Sequence, residues 1–93
     1  MARPTDKSRR IVRRIMSATV DDAIEIIAET GPLTTDELFK QVTGYKPNPA
    51  NMSGALVRPK WYEYTDELAR SKYVFRDYTI NGEIHYNFKW NIR

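Results

Sequence analysis

Residues 31–39 read Gly31-Pro32-Leu33-Thr34-Thr35-Asp36-Glu37-Leu38-Phe39, and this stretch orders the rest of the chain. Gly31–Pro32 stops whatever helix precedes it. Thr34 and Glu37 stand three apart, the spacing of a capping box, in which each side chain bonds the other's backbone N–H. Leu33 and Leu38 take the places of a hydrophobic staple around that cap. Leu38, Phe39 and Val42 then give a short buried face, and Gly44 suits the left-handed position that ends such a helix. The stretch therefore predicts a tight turn into a short, sharply bounded helix.

Working backwards, Val20, Ile24 and Ile27 form one helical stripe, and Asp22, Glu25 and Glu29 form another. Thr19 and Asp22 make a second capping box, which favours a fresh helix at Val20, although with no Gly or Pro before Gly31 a single helix running on from Lys7 stays open. Lys7 to Met16 carries Ile11, Val12, Ile15 and Met16 at helical spacing with Arg9, Arg10, Arg13 and Arg14 on one side, a short basic amphipathic helix. Working forwards, Asn48 followed by Pro49 is an N-cap with proline at the first helical position. Met52, Ala55 and Leu56 predict the inward side of a third helix, closed by Pro59. Trp61–Tyr64 reads as a short strand and Thr65–Arg70 as a helical turn.

The last third changes character, because nine of the eleven aromatic residues lie between Trp61 and Trp90. Tyr73–Ile80 and Glu83–Trp90 are β-rich runs around Asn81–Gly82, a strong signal for a hairpin with a type I′ turn. A two-residue turn pairs Ile80 with Glu83, Tyr78 with His85 and Asp77 with Tyr86. Alternation predicts Tyr73, Phe75, Ile84, Tyr86, Phe88 and Trp90 on the core face, and Val74, Arg76, Tyr78, His85, Asn87 and Lys89 on the outer one. The expected shared core is Leu38, Phe39, Leu56, Phe75, Phe88 and Trp90.

The 93 residues hold 15 Lys+Arg against 12 Asp+Glu, one histidine and no cysteine, with 41% hydrophobic residues and a mean hydropathy of −0.64. One domain with a modest core is expected, a basic arm or helix over 1–19 preceding a domain over 20–93. The missing cysteine excludes disulfide scaffolds, thiolate zinc sites and thiol catalysis. No apolar run suits a membrane span and no secretory signal is visible, so a cytoplasmic protein is expected. Charge is segregated: residues 1–20 sum to +5, 21–37 to −6, 38–62 to +4, and 63–93 balance. Catalysis finds little support. His85 lacks an orienting carboxylate in the expected register, and Asp22, Glu25 and Glu29 read as a solvated stripe. No phosphate-cradling glycine loop is present, so neither enzyme nor cofactor is expected.

The order of helix, tight turn, capped helix, loop, short helix and hairpin resembles the winged helix-turn-helix family from about Val20 to Trp90. Residues 31–39 carry the resemblance. Met52-Ser53-Gly54-Ala55-Leu56-Val57-Arg58, followed by Trp61 and Tyr62, looks like the recognition helix and its exit. The resemblance implies an α+β fold and double-stranded DNA as partner, with the third helix in the major groove and the hairpin as a wing. It implies Asn51, Ser53 and Arg58 near base edges, Lys46 and Lys60 as flanking phosphate contacts, and Arg76 and Lys89 on the outer face of the wing. Arg9, Arg10, Arg13 and Arg14 add the phosphate contacts of a basic arm. The expected function is a small regulatory or architectural DNA-binding protein. The outer side of helix three, Ala50, Gly54 and Val57, is poor for reading bases. That leaves a second expectation, a protein-binding adaptor or inhibitor.

Overall fold

The computed structural model describes residues 5–80 and 82–93. Five helices precede a two-stranded antiparallel hairpin: α1 Asp6–Ser17, α2 Val20–Thr30, α3 Thr35–Thr43, α4 Pro49–Met52, α5 Val57–Ala69, β1 Val74–Ile80 and β2 Glu83–Ile92. The class is α+β. None of these helices is long and apolar enough to cross a membrane.

The helix starts follow their caps. Thr19 accepts from Asp22 N (3.1 Å) while Asp22 accepts from Thr19 N (2.8 Å), so α1 and α2 are separate helices. Thr34 and Glu37 exchange the same pair of bonds, both at 3.1 Å. The bond from the Thr34 backbone N–H, chiefly, holds the Glu37 carboxyl below its ordinary value, with the Thr34 hydroxyl and Lys89 lowering it further. Gly31 (φ 89°) and Gly44 (φ 77°) end α2 and α3 in conformations that L side chains rarely adopt. Asn48 caps α4 with Pro49 in its first turn.

The third helix departs from expectation. The segment from Pro49 splits, with one turn ending at Met52, a bend at Ser53–Leu56, and a new thirteen-residue helix from Val57. Pro59 is the third residue of α5, where a backbone N–H would have no partner within the helix, so it opens the helix instead of closing the one before. Trp61–Tyr64 is helical, correcting the strand reading. Val57, Trp61, Tyr64 and Leu68, at steps of four, three and four, are buried along one stripe.

These side chains form the centre of the core with Ile11, Val12, Ile15, Ala23, Ile27, Leu33, Leu38, Phe39, Val74 and Trp90. Trp61 packs edge-on to Phe39 (5.1 Å between ring centres) and stacks on Tyr64 (5.5 Å). Tyr64 Oη donates to Thr19 O at 2.7 Å, pinning α5 to the junction of α1 and α2. Leu38, Phe39 and Trp90 are core as expected. Leu56 and Phe88 rest half-buried against it, and Phe75 lies outside it, capped by Arg93.

The hairpin keeps the expected pairing only at its far end, where Ile80 faces Glu83 and Thr79 faces Ile84. Nearer the body the ladder slips by three residues, giving Asp77↔Lys89, Arg76↔Trp90, Phe75↔Asn91 and Val74↔Ile92. The slip corrects Asp77 opposite Tyr86, and being odd it exchanges the faces of β1. Val74 turns inward at 1% exposure, while Tyr73 turns out at 56%. The cause is the anchoring of Trp90. Its backbone bonds Leu33 in both directions (Leu33 N to Trp90 O 3.1 Å, Trp90 N to Leu33 O 2.6 Å), and its indole N–H donates to Thr35 Oγ1 at 3.0 Å. Among the described residues no helix covers the strands beyond Phe88, so Ile84 and Tyr86, expected in the core, stand 87% and 102% exposed. Gly82 has φ 80°, as the turn requires, whereas Asn81 lies outside the described residues.

Candidate nucleic-acid interface

The two hydrophobic positions Ile11 and Ile15, with Val12, dock α1 against α5 and α3. At 100° per residue the arginines must then project away from the body, and Arg9, Arg10, Arg13 and Arg14 are all exposed. Arg10, Arg13 and Arg14 line a shallow groove of about 240 Å³ with Ser17 and Tyr45. Its other wall is the turn after α3. A Cβ on Gly44 would lie 3.8 Å from Arg14 Nη1. Among the described residues the one ion pair is Lys60–Glu63 at 3.7 Å, so no carboxylate lies within 4.0 Å of these arginines. Lys46 is exposed and follows Tyr45 in the chain, but it does not line this groove.

The other expected contacts scatter. Asn51 is 4% exposed, donates from Nδ2 to Lys46 O (2.8 Å) and holds the 46–51 loop closed, so it does not face a ligand. Val57, placed on the outer side, is buried at 1%, and Gly54 lies against α1, where a Cβ would meet Ser8 Oγ at 4.0 Å. Ser53 is exposed at the end of α4. Arg58 is exposed on α5, its Nε donating to Tyr62 Oη (3.2 Å) and its guanidinium lying 5.2 Å over the Tyr62 ring. Lys60 falls on another side of α5, paired with Glu63 beside Ile15 and Met16, so it does not flank Arg58. Arg76 lies over Phe88 (5.4 Å) and Trp90 (5.6 Å), on the face opposite Lys89, which pairs with Asp77. The two wing bases therefore do not share a face. They also sit beside the start of α3, whereas the α1 groove sits beside its end.

Two features escaped the sequence reading. Tyr45 joins the arginine groove from the α3–α4 loop, which no local pattern announces. Arg58 and Tyr62 are four apart, a helical pair that the pattern Val57, Trp61, Tyr64, Leu68 would have revealed. They border a second groove of about 330 Å³ between α3, α4 and α5. Among the described residues no cluster of three or more His, Asp or Glu side chains could hold a metal. The chain matches no family model, no curated protein and no solved structure.

Proposed function

We propose that this chain is a winged-helix protein that binds double-stranded DNA through the phosphate backbone, using the exposed arginines of α1 as its main contact. The observation that carries the reading is the face of Arg9, Arg10, Arg13 and Arg14, directed outward and without a carboxylate partner among the described residues. Four guanidiniums so arranged match the spacing-tolerant chemistry of phosphate contact. The order α2, Leu33, α3, α5 and hairpin supports the winged-helix part, with Leu33 joined to Trp90 by an isolated antiparallel bridge. In that reading α5 takes the place of the recognition helix. Its outer side mixes Arg58 and Arg70 with Glu63, Asp66 and Glu67, which disfavours close approach to bases and favours a regulatory or architectural role without strong sequence preference.

The test is titration of random-sequence duplex at several salt concentrations. Binding should weaken steeply with salt, and replacing the four arginines by Ala should lower the slope of log affinity against log salt by about 3–4. No binding at low salt overturns the proposal. The adaptor reading rests on the uncovered Ile84 and Tyr86 at the far end of the hairpin. It predicts no duplex affinity at physiological salt.

A further inference from the structure

Charge of both signs meets around the C-terminal end of α3, on which α1 and α2 both pack. Beside α1, Arg10, Arg13 and Arg14 share a groove with Tyr45. Beside α2, Asp22, Glu25 and Glu29 share a groove of about 320 Å³ with Gln41 and Val42 of α3. Ser17 borders the basic groove and Ala18 the acidic one, so the two are neighbours.

Helical period places the carboxylates. They recur at steps of three and four, on the side of α2 away from the buried Ala23 and Ile27. Asp22 is committed to the cap at Thr19, whereas Glu25 and Glu29 are exposed. Among the described residues no cation lies within 4.0 Å of either glutamate, although four arginines stand on the preceding helix. Neither charge is matched inside the chain. Each groove also holds half-buried apolar surface, Tyr45 in the basic one and Ile26 with Val42 in the acidic one.

A second copy supplies both partners at once. Because the grooves are neighbours, a two-fold axis near the end of α3 lays the arginines of each copy over the glutamates of the other. The same contact is then made twice, and the assembly closes as a pair. Opposite charge also steers two copies into that orientation, while like charge opposes the others.

We propose that this bipolar face is a self-association surface, on which two copies pair with α1 of each against α2 of the other. Ile26, Val42 and Tyr45 add apolar area between the charges. The consequence for regulation rests on the DNA reading above: the pair covers the arginines that would hold phosphate, so duplex and second copy compete for α1.

Sedimentation equilibrium on the full chain, without nucleic acid, tests the pairing. A dimer is expected at low salt, and raising salt from about 50 to about 500 mM should weaken it about tenfold or more by screening. Arg10→Glu with Arg13→Glu should give a monomer, and so should Glu25→Arg with Glu29→Arg. Mixed together, these two variants should pair again, because each offers the charge the other lacks. Their melting midpoints should stay close to that of the unaltered chain, since all four side chains are exposed. A monomer at millimolar concentration and low salt, a dimer that survives either reversal, or variants that stay apart on mixing overturns the proposal. Random duplex added to the dimer should dissociate it, and duplex bound by an intact dimer overturns the arrangement. A dimer that ignores duplex rejects the DNA reading alone, and a monomer that binds duplex rejects the pairing alone.

Discussion

Helices α1 and α5 pack against each other, yet they give the molecule opposite things. α1 buries Ile11, Val12 and Ile15 and turns four arginines to solvent, with Asp6 in its first turn as the one acid on that side. α5 buries Val57, Trp61, Tyr64 and Leu68, reaches α1, α2, α4 and β1, and turns a mixed set of charges outward. One helix is mainly a charged surface, and the other is mainly the centre of the core. The lesson is that the place a fold resemblance reserves for recognition need not carry the charge. Here the uncompensated charge lies on the helix that precedes the resemblance.

The largest effect that separates the two helices is a core truncation on α5. Leu68 is 0% exposed, so Leu68→Ala should cost about 2–5 kcal/mol in urea melting. Replacing all four α1 arginines by Ala should leave the melting midpoint nearly unchanged, as expected of exposed side chains without partners. Comparable losses from the two variants would break the contrast.

Next is the tie between α5 and the α1–α2 junction. Burial, with Asp22 and Glu67 repelling a phenolate, pushes the Tyr64 hydroxyl up to about 12. A raised value means that the folded chain holds this proton more tightly than the unfolded one. The associated stability is intact below the ordinary tyrosine value of 10.0 and is lost as pH rises from there through about 12. Melts at about pH 9 and about pH 11 should show this decline, and Tyr64→Phe should flatten it. An unchanged pH slope in the Phe variant would detach Tyr64 from the effect.

The smallest effect concerns Pro59. Because the third residue of α5 needs no backbone donor, Pro59→Ala should change stability by no more than about 0.5 kcal/mol and leave helical circular dichroism unaltered. A clear rise in helix content would mean that Pro59 does act as a terminator.

Local chemistry made the first half of the molecule readable. Thr19 with Asp22, Thr34 with Glu37, Gly44 and Asn48–Pro49 each mark a helix end through bonds among near neighbours, and all are where the sequence places them. The arginine face of α1 was equally legible, because helical period alone separates it from Ile11, Val12 and Ile15. The candidate site was legible only there. Asn51 looks like a base-reading residue by type, but its amide closes a loop through Lys46 O, and residue type does not reveal such a partner.

By itself the sequence determined the caps that start α2, α3 and α4, the end of the hairpin at Ile80 and Glu83, the segregation of charge and the burial of Leu38, Phe39 and Trp90. Only the tertiary structure decided the length of α5, the slipped ladder and the groove beside Tyr62. The physical reason is range. Caps and tight turns close over three or four residues, so the chain states them locally. Trp90 instead satisfies its backbone on Leu33 and its indole on Thr35, some 55 positions away in the chain, and that anchorage selects which face of β1 turns inward.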